Sequence, residues 1–357
     1  MIVSAYVFAD GVEFAPEAIG AAAQALRDGK LIGLPTETVY GLGADADNAT
    51  AVAAIFEAKG RPSDHPLIVH VAAFDGGMSG VAHYAGRVPS FAQQLMSAFW
   101  PGPLTLILPR REGVGAIAAG GQNTMGLRCP AHPVAQAVLA ALRQPKEGES
   151  VVWGVAAPSA NRFGRISPTT ARHVADEFAN TPDLLILDGG PCEVGIESTI
   201  IDCTRGAPVL LRPGAITSEQ VAAACGRALV SPDELDAQGQ QAPRASGTLE
   251  SHYAPNATVR LMDAKALQQA LDLVGTQVDK AAGPGKTIAI YSRMPLHTAA
   301  PQIELRRMPT DAAVAAHELF SVLRELDALR VQLIWVETPP DDVAWDGVRD
   351  RLQRAAA

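Results

Sequence analysis

The chain has 357 residues, 48% hydrophobic and 19% charged, and its 29 Lys and Arg against 38 Asp and Glu leave a formal net charge of −9. That length fits two domains of ~100–200 residues and a core that stands without disulfide or metal staples, while the acidic balance argues against a general electrostatic grip on nucleic acid. The four cysteines, Cys129, Cys192, Cys203 and Cys225, make no Cys-x-x-Cys pair, which sets aside zinc ribbons and thioredoxin-type sites. The first ten residues carry no basic, apolar leader and no run approaches ~18 apolar residues, so the chain reads as soluble and cytoplasmic.

Apolar residues at Ile19, Ala22, Ala23 and Leu26, with Gly29 behind them, predict a helix over Pro16–Arg27, and Leu31–Leu34 predicts a strand. Asn48 is placed to cap a helix that runs to Lys59 and stops at Gly60 and Pro62. Leu67–Val71 reads as a strand, Pro89–Phe99 as a helix, Leu104–Leu108 as a strand, Pro133–Leu142 as a helix and Val151–Ala156 as extended. Ser167 followed by Pro168 predicts a cap and first-turn proline opening a helix to about Phe178. Strands are predicted over Leu184–Leu187, Ser198–Asp202 and Val209–Leu211. Ser231–Glu250, rich in Gln, Ala, Gly, Pro and Ser, reads as a linker. Beyond it, strands over Thr258–Met262, Thr287–Tyr291, Ile303–Arg307 and Val331–Glu337 alternate with helices over Ala264–Val274, Asp311–Leu329 and Asp341–Arg354. That alternation predicts a small α/β domain with a largely parallel sheet.

Two motif matches fail. Gly285-Lys286-Thr287 resembles the end of a phosphate loop, but the first glycine would fall on Lys280, and Gly41-Leu42-Gly43 lacks the third glycine of a dinucleotide fingerprint. The informative stretches lie elsewhere. Pro35-Thr36-Glu37-Thr38-Val39-Tyr40 puts hydroxyls at the carboxyl end of a strand, where a polar ligand is held; each threonine taken singly also fits a local turn. Lys59-Gly60-Arg61-Pro62 sets two cations in a loop fixed by proline, suited to polyphosphate; the helix dipole explains Lys59 but not Arg61. Thr124–Pro130, Ala156–Asn161, Ser167, Gly195–Ile200 and Leu211–Gly214 add hydroxyls, an amide and two arginines at element ends, as a pocket for a charged, hydroxyl-bearing ligand requires.

In order and spacing, the PTETVYGLG, KGRP…PLIVHV, APSAN, EST and LRPG runs resemble the threonylcarbamoyl-AMP synthase family, across essentially the whole chain. His252-Tyr253-Ala254-Pro255 resembles the HYAP element of its long form. The resemblance implies an open twisted α/β sheet of YrdC-like fold over residues 1–217, a linker with the HYAP lid over 218–257, and a small Rossmann-like α/β domain over 258–357. It also implies a nucleotidyl transfer in which L-threonine, bicarbonate or CO2 and ATP with Mg2+ give L-threonylcarbamoyladenylate and pyrophosphate. The product would pass to the tRNA threonylcarbamoyltransferase complex for t6A modification of tRNAs reading codons that begin with A. No membrane and no strong direct nucleic-acid binding are implied, and no metal site of the protein's own.

Carried over by motif, Thr38, His70, Arg128, the backbone at Ala157 and Ser198 match the L-threonine side. Arg61, His65, Thr124, Ser159, Asn161, Ser167, Arg212, His252 and Tyr253 match the ATP side, with Lys59 and Arg61 neutralising the triphosphate. The His252–Tyr253 pair is expected to close over the nucleotide, and its removal to spare the fold. Two places depart from the family pattern: His65, whose charge would change near pH ~6.5, and Ala245–Ser251, which stands where relatives carry a Ser-Pro-Gly-Met element with a basic residue.

Overall fold

In a computed structural model, which describes the chain apart from residues 9–11, 74, 182, 231–241 and 282–286, two units form: Met1–Phe163 with Ser167–Thr248, and Gly164–Ile166 with Leu249–Ala357. Part of the expected linker and the Gly285-Lys286 match lie outside the described residues.

The first unit contributes strands β1 (Ile2–Ser4), β2 (Tyr6–Phe8), β3 (Val12–Phe14), β4 (Ile32–Leu34), β5 (Gly41–Asp45), β6 (Ile68–His70), β7 (Leu104–Pro109), β8 (Thr124–Arg128), β9 (Val155–Ala156), β10 (Leu185–Asp188), β11 (Thr199–Asp202) and β12 (Val209–Arg212). Its helices are α1 (Pro16–Arg27), α2 (Ala49–Lys59), α3 (Met78–Tyr84), α4 (Ser90–Phe99), α5 (Pro133–Arg143), α6 (Ala171–Glu177) and α7 (Ser218–Cys225). Ten strands form one mixed sheet in the order β1-β10-β4-β5-β9-β6-β8-β7-β11-β12, while β2 and β3 pair separately. The pairs β1/β10, β10/β4, β6/β8 and β7/β11 are parallel and the remainder antiparallel.

Alternation along β7 decides where the site falls. Leu104, Leu106 and Leu108 enter the main core with Val52, Ile55, Leu95 and Leu127, so Thr105 and Ile107 face the other way. Register then gathers their neighbours on that second face: Arg128 is opposite Thr105, Gly126 opposite Ile107, and His70 beside Arg128. Ile68, Ile107 and Ile200 form a small apolar cluster there. A separate cluster packs α1 and α5, through Ala22, Leu26, Val138 and Leu142, against Ile32, Leu34 and Leu187.

The structure departs from the sequence reading at Ser167 and adds to it at two further places. Ser167 caps no helix; α6 starts later, where the Thr170 side chain accepts from His173 N, because the Ser167 hydroxyl is committed to Glu197. Gly41–Asp45 is a buried strand between β4 and β9, although its two glycines carry little β propensity. The first compact unit runs on past 217. Helix α7 has a Thr217/Gln220 capping box and packs Val221 and Cys225 into the first core, and the unit continues to Thr248.

In the second unit, β13 (Thr258–Met262), β14 (Ile288–Ser292), β15 (Ile303–Arg307) and β16 (Leu333–Glu337) form a four-stranded sheet, order β13-β16-β14-β15. All its pairings are parallel, as the strand–helix alternation predicts. Helices α8 (Ala264–Ala281), α9 (Ala312–Ala328) and α10 (Asp346–Ala356) complete it. Among the described residues, no helix is long and apolar enough to cross a membrane.

Candidate active site

The loop between β4 and β5 is folded by its own hydroxyls. Thr36 Oγ1 donates to the Val39 carbonyl at 2.6 Å and accepts from Val39 N, a local turn that leaves Thr38 Oγ1 2.9 Å away. With the Thr36 proton committed, Thr38 donates to Thr36 and accepts from Arg128 Nη1 at 2.7 Å. Arg128 Nε donates to the Gly102 carbonyl, and Nη2 lies 2.7 Å from Glu37 Oε1 as a buried ion pair. Burial works to raise the Glu37 carboxyl, but Arg128 and nearby backbone N–H groups outweigh it and hold the group below the ordinary carboxylate value. His70, beside Arg128 and 3% exposed, is pushed down to about 3 by burial and by the Arg128 charge, so its imidazole is neutral. The Tyr40 hydroxyl is used elsewhere, between the Gly190 carbonyl and Gly189 N.

Helix α2 ends in a left-handed Gly60 (φ 64°), which turns the chain so that Lys59 and Arg61 diverge. Lys59 is buried, and its ammonium donates to the carbonyls of Ser159 (2.5 Å) and Asn161. Burial, with Arg61 nearby, holds that ammonium well below the usual lysine value, while Glu177 and Glu197 pull the other way. The cation expected to meet phosphate is therefore a staple between α2 and the Ala157–Asn161 loop. Arg61 reaches the Pro66 carbonyl and Ser246 Oγ and passes over the Phe163 ring. His65 packs edge-on to the same ring, and burial and then Arg61 lower it below the ordinary histidine value, which corrects the expected switching point.

At the far end of the sheet face, Arg212 Nε and Nη2 converge on the Ser198 carbonyl (3.1 and 2.9 Å), and Nη2 also meets Ser198 Oγ. Ser198 Oγ lies 2.7 Å from Thr105 Oγ1. Gly214, the last residue of the LRPG run, sits so close to β11 that a Cβ there would come within 2.5 Å of Thr199 N, so only glycine fits. Arg212 Nη1 donates to the Ser246 carbonyl, Ser246 Oγ donates to Pro66, and Arg244 pairs with Asp64 and Gln122. The Arg244–Ser246 segment thus lies along an open pocket whose lining includes Ile68, Thr105, Thr124, Gly126 and Ile200.

The first unit therefore joins Thr38, His70, Arg128, Ser198 and Arg212 along one sheet face, with Arg61 and Thr124 at the pocket beside it. Ala157 enters through its backbone, N–H to the Ile68 carbonyl. Asn161 directs its amide to the Arg162 carbonyl, and Ser167 is turned to Glu197. His252 and Tyr253 belong to the second unit: Tyr253, in a left-handed conformation (φ 62°), is fully buried between Phe320, Arg351 and the His252 ring. Glu37, Thr105 and Ser246 are missed by the sequence reading. Glu37 carries a signal, a lone carboxylate between two threonines; Ser246 carries none.

A mixed sheet with buried guanidinium groups and hydroxyls on one face, followed by a small parallel α/β unit, defines a two-unit α/β enzyme for a small anionic ligand. The family model described as "Telomere recombination" matches residues 24–214, and that of the threonylcarbamoyl-AMP synthase C-terminal domain matches residues 216–357. Threonylcarbamoyl-AMP synthase of Pyrococcus abyssi is 36% identical over 94% of this chain and 93% of its own, and that of Bacillus subtilis 37% over 95% and 92%. The crystal structure of P. abyssi Sua5 complexed with L-threonine matches with a TM-score of 0.82 at 34% identity, covering 100% of this chain and 97% of that one. The chain belongs to the threonylcarbamoyl-AMP synthase family in its long, two-domain form.

Proposed function

We propose that the chain joins L-threonine, bicarbonate or CO2, and ATP into L-threonylcarbamoyladenylate with release of pyrophosphate. One observation carries the site assignment: a continuous line of contacts runs from Thr38 and Arg128, across register-paired Thr105, to Ser198, Arg212 and Ser246. An amino-acid carboxylate taken by Arg128 and a triphosphate taken by Arg61 and Arg212 would then lie on one surface. That closeness is what transfer between them needs.

In this reading the carbamate oxygen of the carboxylated threonine attacks the α-phosphorus of ATP, a P–O bond forms, and pyrophosphate leaves with the broken bond's electrons. Mg2+ enters with the triphosphate as part of that substrate and neutralises charge on it. Thr124, Ser159, Ser167 and His65 complete the nucleotide side. Lys59 acts by fixing the Ser159–Asn161 loop. The reading places the reaction in the cytoplasm and the product's handover at the tRNA threonylcarbamoyltransferase complex, for t6A formation in tRNAs that read codons beginning with A. Pyrophosphate release by the purified protein with MgATP tests it. Release that needs both L-threonine and bicarbonate, and falls when L-serine replaces threonine, is expected; release without threonine overturns it.

A further inference from the structure

The buried polar atoms around Arg128 are not all satisfied by the chain. Beyond the 2.7 Å ion pair between Arg128 Nη2 and Glu37, neither Glu37 oxygen, nor Arg128 Nη2, nor His70 Nδ1 meets another side chain in a hydrogen bond. All three residues are nearly sealed from solvent, at 4%, 3% and 3% exposure. A buried polar group keeps capacity for a ligand where the chain leaves part of its hydrogen bonding unused. Three such groups converge: Glu37 and Arg128 form the ion pair, and His70 is the strand neighbour of Arg128.

Their charges describe what fills them. Arg128 is a cation, Glu37 an anion with acceptor capacity beyond the ion pair, and His70 a neutral ring. A carboxylate alone would satisfy Arg128 and lie against the Glu37 anion. A zwitterion brings one group for each. We propose that Glu37 receives the α-ammonium of the amino-acid substrate while Arg128 takes its carboxylate, so that the pocket selects an intact α-amino acid. This rests on the reading that the Arg128 pocket binds L-threonine.

The geometry assigns the Glu37–Arg128 pair a second duty. Without ligand each neutralises the other, which lets both stay buried. With ligand the zwitterion bridges them and the net charge of the pocket does not change.

Calorimetric titration of the full chain tests this with two probes, L-threonine and 3-hydroxybutyrate, which keeps the carboxylate and hydroxyl but has no amine. Glu37→Gln is expected to weaken L-threonine by about tenfold or more, the worth of a charge-assisted hydrogen bond, and to leave 3-hydroxybutyrate unchanged or tighter. Equal weakening of both probes overturns the proposal, since Glu37 would then act only by holding Arg128. Glu37→Asp, which keeps the charge and shortens the reach, covers the case in which Glu37→Gln does not fold. It should weaken L-threonine and spare 3-hydroxybutyrate, and equal losses overturn the proposal here too. Absence of L-threonine binding by the unmodified chain overturns the pocket assignment itself, a result distinct from equal losses in the variants.

Discussion

Lys59 Nζ donates to the Ser159 carbonyl at 2.5 Å and also to the Asn161 carbonyl, tying the end of α2 to a loop a hundred residues later in the chain. A lysine in a KGRP run invites assignment to phosphate, yet its ammonium is enclosed and its donors face backbone. Replacing Lys59 by Met keeps the apolar stem and strips both carbonyls of this donor. Urea unfolding should show a loss of about 1–3 kcal/mol. Pyrophosphate release should fall through a higher KM for ATP, with KM for threonine little changed. An unchanged unfolding midpoint with activity abolished would instead make Lys59 a direct substrate contact.

His70 sets a pH dependence. Its folded value is pushed down to about 3 by burial and by Arg128, against an ordinary 6.5. The fold favours the neutral ring, so the His70 contribution to stability is complete above pH 6.5. It is lost as pH falls toward 3, because only the unfolded chain takes the proton. The slope is about 1.4 kcal/mol per pH unit across that window. Unfolding free energies at pH 7.5 and 5.5 should therefore differ less in His70→Gln than in the unmodified chain. Parallel pH profiles would show that His70 titrates normally.

The sequence makes the strand–helix alternation of the second unit legible, because each segment shows its own period and its sheet is parallel throughout. It also exposes the Asn48 cap and the Gly60 stop of α2, which are local chemistry. Gly41–Asp45 escapes, since its strand state comes from neighbours on both sides and not from its residues. The arginines are legible as cations, but not their partners. Arg212 closes on Ser198 through the β11/β12 pairing, while Arg128 meets Glu37 because the β4–β5 loop, far earlier in the chain, folds against the end of β8. Ser246 is recognisable only once the chain has folded back against Arg61 and Arg212.

The resemblance implies that His252 and Tyr253 can be removed without harm to the fold. The structure attaches a stability cost to that removal without contradicting it. Tyr253 is fully buried, with Phe320 at 5.4 Å between ring centroids and the Arg351 guanidinium 5.3 Å over its face. Truncating a buried aromatic costs about 3–5 kcal/mol. Tyr253→Ala should lower the melting temperature of the second unit before any effect on turnover is read, whereas Tyr253→Phe, which keeps the ring, should melt normally. A Tyr253→Ala protein that melts like the unmodified chain and loses activity would assign the residue wholly to the lid.

Arg212 joins the two halves of the proposed site. Its guanidinium holds the carbonyl and hydroxyl of Ser198 from one side and the Ser246 carbonyl from the other. Lysine has the charge but not the planar fork, so Arg212→Lys keeps the cation and releases at least one of these partners. Because the proposed reading puts Ser198 on the threonine side and Ser246 on the nucleotide side, the two Michaelis constants should rise together, each by roughly tenfold, the worth of one or two hydrogen bonds. Arg61→Lys, whose contacts include Pro66, Ser246 and Phe163 at the pocket end, should raise the constant for ATP alone. Steady-state pyrophosphate release with each substrate varied in turn separates the two patterns. A rise confined to ATP in Arg212→Lys would mean that Ser198 keeps its place without the arginine.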